Sequence, residues 1–296
     1  MRLRAATRGS ALARWQTDHV AALLRAVDPS VEVEAVVVET FADRRQDVPI
    51  HAMGGKGVFV KEVQAAVLDG RADLAVHSAK DLPALTAPGM VIAAVPERGD
   101  PRDALVGSRL DDLAHGAHVA TGSIRRQAQL AHRRPDLVFS GLRGNIATRL
   151  DKAAGYDAIV MAVAALERLG LADRITEVLE PDVMLPQVGQ GALAVECRDD
   201  DTGVAELLGA IDHPLSRRTL EAERAFLAEL GGDCDLPAGA HAVVVGEHLR
   251  IDALLASVDG RTLLHETFEG ADGVALGHAI ARRLLERGGD ALLAAR

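Results

Sequence analysis

The feature that most limits the folds open to this chain is an alternation running through its first two-thirds. A short aliphatic run is followed by a turn rich in glycine, serine or threonine with a basic residue, and then by an amphipathic stretch. Residues 31–39 (V-E-V-E-A-V-V-V-E) begin in strict alternation and end as a buried run, the pattern of a strand. They follow a predicted helix whose apolar positions include Leu12, Trp15, Leu23, Leu24 and Val27, with Ser10 as its N-cap. Residues 57–68 read as a helix ending at Gly70, and 73–77 as a short buried strand that runs straight into Ser78-Ala79-Lys80-Asp81. The scheme repeats after the turn cluster 97–101: strand 117–121 then a helix from Ser123, strand 137–142 then a helix from Asn145, strand 157–163 then another helix. Residues 185–191 (L-P-Q-V-G-Q-G) read as a return crossing whose glycines can act as a hinge. Beyond 212–214 the pattern changes to a helix (215–230), hairpin-like strands (241–268) and a final helix (273–286), an α+β arrangement distinct from the α/β front.

Each strand–turn–helix junction offers free backbone N–H groups and a positive helix end at the strand's C-terminal side, where an α/β sheet holds an anion. The junctions here carry T-R-G-S (7–10), H-S-A-K-D (77–81), T-G-S-I-R-R (121–126) and L-R-G-N (142–145). Only four of the 33 basic residues are lysine, and Lys56, Lys61 and Lys80 fall close together beside glycine-rich or strand-end positions. Glycine admits close approach, serine and threonine add short donors, and the arginine fork matches a carboxylate. Repeated in a chain of net charge −10, the pattern points to a local site for a ligand with several carboxylates. The same net charge, with aromatics at only 2%, argues against a nucleic-acid surface, since bases would have almost nothing to stack on. Two cysteines, Cys197 and Cys234, make neither a disulfide framework nor a cysteine zinc site. The polar, basic start has no apolar run behind it, and no stretch reaches the ~20 apolar residues of a membrane span. A cytoplasmic protein is expected, with no metal, nucleic-acid or membrane partner.

Individual residues leave alternatives open. G-G-K-G (54–57) lacks the Walker A frame, because Val58 stands in the Ser/Thr slot, so it reads equally as a surface turn or a ligand loop. Asp81 can cap the turn before Pro83, or serve as a general acid/base among cations. Cys234, in L-G-G-D-C-D-L-P, sits in a loop after a helix and fits a covalent attachment site, although Asp233 and Asp235 disfavour a resting thiolate. Cys197, in A-V-E-C-R, reads as inert core. His115 and His118 read as surface.

Taken in order, A-T-R-G-S-A-L-A, G-G-K-G-V-F-V-K-E, R-A-D-L-A-V-H-S-A-K-D-L-P, D-P-R-D-A, R-R-Q-A-Q-L, L-R-G-N-I-A-T-R-L, V-G-Q-G-A and the Cys234 loop resemble the hydroxymethylbilane synthase (porphobilinogen deaminase) family over nearly the whole length. The resemblance implies two α/β lobes like those of periplasmic binding proteins plus a C-terminal α+β domain, here 1–96 with 189–208, 97–188 and 213–296. It implies head-to-tail joining of four porphobilinogen molecules with loss of ammonia, on a dipyrromethane cofactor attached to Cys234. Asp81 is implied as the catalytic residue that assists loss of the amino group and stabilises the resulting cation. Lys80, Thr121, Ser123, Arg125 and Arg126 are implied as cofactor-binding, and Arg8, Ser10, Arg143, Arg149, Arg168, Lys56 and Phe59 as substrate-binding. The resemblance implies a monomer. The chain departs from the family pattern at Asp233, at Gly122 where serine is common, at Ala52, and in T-F-A-D (40–43), which lacks a glycine. The rival reading is a non-enzymatic two-lobed binder of carboxylate solutes, which needs neither Asp81 nor a modified cysteine.

Overall fold

A computed structural model describes residues 1–41, 57, 60–231 and 236–294. The chain divides into two compact units, one built from 1–99 and 192–218, the other from 100–191 and 219–296.

The first unit is a five-stranded sheet formed by β1 (Arg2–Thr7), β2 (Glu32–Val37), β3 (Leu74–Ser78), β4 (Met90–Ala94) and, from the return segment, β10 (Leu193–Arg198). Its order is β2-β1-β3-β10-β4, with β1 parallel to β2 and β3 and with β10 antiparallel to both neighbours. Both faces are covered, so alternate residues of one strand feed different cores. Leu3, Ala5, Leu74, Val76 and Val195 pack with Val20 and Leu24 of the helix Ala11–Val27 and with Val204 and Leu208 of the helix Thr202–Gly209. On the other face Ala6 and Ala75 meet Val63, Ala66 and Val67 of the helix Lys61–Leu68. Full burial of a side chain such as Leu24 or Leu74 stabilises the fold by roughly 1.5–3 kcal/mol each.

Ser10 caps the first helix as expected, its side chain accepting from Ala13 N at 3.2 Å. The buried stripe of that helix, however, is Ala13, Gln16, Thr17, Val20, Ala21 and Leu24, and of the predicted apolar positions only Leu24 lies on it. Gln16 and Thr17 can be buried because both are bonded, to Ser78 Oγ and to the Ala13 carbonyl. The helix predicted to begin at Gly57 begins instead at Lys61. Gly57, at φ 70°, forms a turn in which Val60 and Lys61 donate to its carbonyl.

The second unit repeats the same sheet plan. Its strands are β5 (Asp103–Val106), β6 (His118–Ala120), β7 (Val138–Ser140), β8 (Ala158–Ala162) and β9 (Glu177–Leu179), in the order β7-β6-β8-β5-β9. β6 is parallel to β7 and β8, and β5 is the antiparallel member. The helices Ile124–Arg133 and Ile146–Lys152 start at the caps Ser123 and Asn145 that the sequence marks. The same unit contains an antiparallel meander of β11 (Ala238–Val245), β12 (His248–Ala256) and β13 (Leu263–Gly270), with the helix Gly273–Leu284 packed on it. The architecture is therefore α/β at the front and α+β at the back, as the pattern implied.

Candidate active site

In the first unit, parallel pairing sets the C-terminal ends of β1 and β3 side by side. The chain leaving β1 supplies Arg8 and Ser10, and the chain leaving β3 makes a 3-10 turn, Ala79–Asp81, pinned by Ala79 N donating to the Ala192 carbonyl. A pocket opens between them, lined by Arg8, Ser10, Gln16, His77, Ser78 and Asp81, with Val60, Val63 and Val76 as apolar wall. Gln16 Nε2 donates to Ser78 Oγ at 2.7 Å, which fixes the floor. Lys80 is half-buried in the turn beside Asp81. An arginine, a hydroxyl and a carboxylate thus converge on one cavity at a helix N-terminus, an arrangement that can hold an acid group of a ligand next to a proton-accepting or charge-holding carboxylate.

In the second unit the predicted residues lie at the ends of β6, β7 and β8. Thr121 follows β6, and its Oγ1 accepts from Ser123 N at 3.2 Å; Ser123 in turn caps the next helix. Arg125 and Arg126 are not free forks pointing to solvent. Both are buried on Asp103 of β5, which is wholly inaccessible: Arg125 Nη2 reaches Oδ2 at 2.7 Å, and Arg126 Nη2 and Nε reach Oδ1 at 2.7 and 3.0 Å. Arg125 also donates to the Leu185 carbonyl and Arg126 to that of Val160. Gln190 Nε2 donates to the same Asp103 Oδ1 at 2.8 Å. It is delivered there by a turn in which Gly189 (φ 71°) and Gly191 (φ 84°) take left-handed conformations, the physical use of V-G-Q-G.

Burial alone raises the Asp103 pKa, but the charges of Arg125 and Arg126 and the Gln190 amide outweigh it and hold the carboxylate down at about 2. Burial lowers the Arg125 pKa against the opposing pull of Asp103, yet a guanidinium starts so high that it stays charged at neutral pH. Two guanidiniums against one carboxylate leave a buried excess of one positive charge. Arg125 Nε has no hydrogen-bond partner among the described residues.

Arg143, half-buried after β7, has its pKa lowered by desolvation, and so has Arg168 on the short helix Val163–Arg168 after β8. Arg168 Nη2 donates to the Gly191 carbonyl at 2.6 Å, and Arg149 Nε to the Gly144 carbonyl at 2.8 Å. Gly122 has a local reason: a Cβ there would lie 2.7 Å from the Leu142 carbonyl oxygen. Cys197 is buried, and desolvation raises its thiol to about 11, so it is a poor nucleophile. Lys56, Phe59 and Cys234 lie outside the described residues. Sequence reading assigned no role to Asp103 or Gln190; the available signal was an aspartate opening an otherwise apolar strand, D-A-L-V.

A family model described as "Porphobilinogen deaminase, dipyromethane cofactor binding domain" matches residues 3–206, and the family's C-terminal domain model matches 218–286. A curated porphobilinogen deaminase from Syntrophotalea carbinolica is 46% identical over 300 residues, covering 99% of this chain and 95% of its own length. Another, from Roseiflexus castenholzii, is 48% identical over 294 residues, with 97% of each covered. The chain belongs to the porphobilinogen deaminase family. Its front two-thirds is that family's dipyrromethane cofactor-binding domain. The family's reaction joins porphobilinogen units on that cofactor, and membership does not favour the binder alternative. Among solved structures the chain is similar to the methionine-binding protein MetQ (12% identity, TM-score 0.45, 71% of this chain and 88% of that one). It is also similar to a periplasmic substrate-binding protein of an ABC transporter from Coxiella burnetii (16%, 0.42, 73% and 94%). Among the described residues no helix is long and apolar enough to cross a membrane.

Proposed function

We propose that this chain is a hydroxymethylbilane synthase that joins four porphobilinogen molecules head to tail, with Asp81 as its acid/base and Cys234 as the attachment point of the dipyrromethane. The observation that carries the reading is the pocket in which Asp81, Arg8 and Ser10 converge. Porphobilinogen brings an acetate and a propionate on each ring, so Arg8 and Ser10 anchor a carboxylate. Asp81 then faces the aminomethyl group, assists departure of ammonia, and holds the positive charge left on the substrate's methylene carbon. A carboxylate fixed where positive charge develops lowers the barrier without reorganising at the moment of reaction.

The dipyrromethane, when bound, supplies the pyrrole to which the first substrate is joined. Thr121, Ser123, Arg125 and Arg126 fit its carboxylates, because their cluster is short of one negative charge and Arg125 Nε has no partner among the described residues. In the first unit Lys80 is a further cation for a cofactor carboxylate, in the second unit Arg143, Arg149 and Arg168 bind carboxylates of the substrate, and Lys56 and Phe59 are substrate-binding residues of the glycine segment. We assign residues 213–296 to a third domain presenting Cys234, whose role is supported by the inert burial of Cys197. A cytoplasmic monomer is consistent with these assignments.

Arg8→Gln tests the reading. A charge-assisted hydrogen bond of about 1.5–3 kcal/mol is removed, so KM for porphobilinogen should rise about ten- to hundredfold with a smaller change in kcat. Steady-state kinetics of ammonia release reads this, and an unchanged KM would remove Arg8 from the site.

A further inference from the structure

In the first unit, on the sheet face covered by the helix Lys61–Leu68, lie two ionisable groups that none of the roles above uses. His77 is 6% exposed and Glu196 1%. In the antiparallel β3–β10 pair, His77 is opposite Ala194 and Glu196 opposite Ala75, so the two side chains share a face as diagonal neighbours. Glu196 Oε2 accepts from Gln64 Nε2 at 2.8 Å and lies 3.2 Å from His77 Nε2. That second approach is an ion-pair contact off the N–H direction: neither His77 Nε2 nor Glu196 Oε1 has a well-aligned hydrogen bond among the described residues. Ionisable groups taken this far from water cost several kcal/mol apiece on the order-of-magnitude scale for buried ions unless they are paired. Apolar residues would fill the same space more stably.

The Gln64 amide donates to Glu196 Oε2, and the group at ion-pair distance from that same oxygen is His77. Around them the helix Lys61–Leu68 contributes neutral Gln64 and apolar Val63, β4 carries no ionisable side chain, and Glu206 of the helix Thr202–Gly209 is exposed. The charged groups that share the pocket with His77 are Arg8 and Asp81.

We propose that Glu196 is a positioning residue for the reaction at Asp81: it holds His77 protonated in the pocket wall, where the imidazolium adds a titratable positive charge beside the substrate's carboxylates. The inference rests on Asp81 being the acid/base of this pocket. A charged imidazole in the wall supports turnover and a neutral one does not, and removing the neighbouring anion disfavours the charged ring.

The test is the pH profile of kcat for the purified holoenzyme and its Glu196→Gln and His77→Gln variants between about pH 6 and 9. Glu196→Gln should move the alkaline limb to lower pH by about one unit or more. His77→Gln should lose that limb and turn over more slowly, by up to about a hundredfold. A Glu196→Gln profile superimposable on wild type overturns the proposal. Should neither variant fold, histidine nitrogen NMR of the wild-type holoenzyme decides: Nε2 of His77 protonated in an imidazolium at neutral pH is expected, and a neutral ring with a bare Nε2 refutes it. Wild-type turnover in Asp81→Asn would defeat the Asp81 assignment alone, leaving the His77 spectrum as it was.

Discussion

Asp81→Asn should fall in turnover by about 10²–10⁴, the range for losing a positioned acid/base or charge-holding group, while folding normally. Asparagine keeps the shape of the side chain and the half-buried pocket around it, with Gln16 still holding Ser78 and Ala79 still pinned to Ala192. What it lacks is the negative charge and the ability to take a proton. Binding of porphobilinogen through Arg8 and Ser10 should survive, so the loss belongs in kcat and KM should change little. Ammonia release under saturating substrate, with thermal unfolding as control, separates the cases. A variant within a few-fold of wild type would show that Asp81 merely caps its turn.

Asp103→Asn should destabilise the second unit by about 3–5 kcal/mol, because it strands two buried guanidiniums without a counter-charge. Arg125, Arg126 and Gln190 all converge on that one carboxylate. Its depressed pKa also fixes a pH window. The folded value is about 2, below the usual carboxylate value of about 4. The stabilisation is therefore complete above about pH 4 and is lost as pH falls through about 2. Urea midpoints should drop across that window in wild type and much less in the variant. A variant within about 1 kcal/mol of wild type at neutral pH would mean that Asp103 is not the counter-charge that holds the two guanidiniums.

Local features were legible in the sequence and distant ones were not. The caps Ser10, Ser123 and Asn145 act within three residues, so a short window contains everything needed to place them. The stripe of the first helix was misphased because Gln16 and Thr17 are buried polar residues, made tolerable by partners that periodicity cannot reveal. β1 was not named as a strand because Arg2 and Arg4 make it read as a basic terminus. In the fold they pair with Glu34 and Asp73, while Leu3 between them and Ala5 beyond them are core. Composition and motif mark the junction arginines as candidate carboxylate binders, but not their attachment to Asp103, since that contact joins residues 22 apart and Gln190 arrives from 87 residues away. The Glu196–His77 pair is hidden for the same reason, each member reading as an isolated polar residue in an apolar strand.

The central claim is that Cys234 carries a dipyrromethane from which the chain is extended. The direct measurement is the intact mass of the purified protein beside a Cys234→Ser variant, before and after addition of porphobilinogen. An excess of two pyrrole units on the wild type, absent from the variant, with a ladder of further units after substrate is added, is the predicted result. A wild-type protein that shows neither the excess nor any adduct in the presence of porphobilinogen would contradict it.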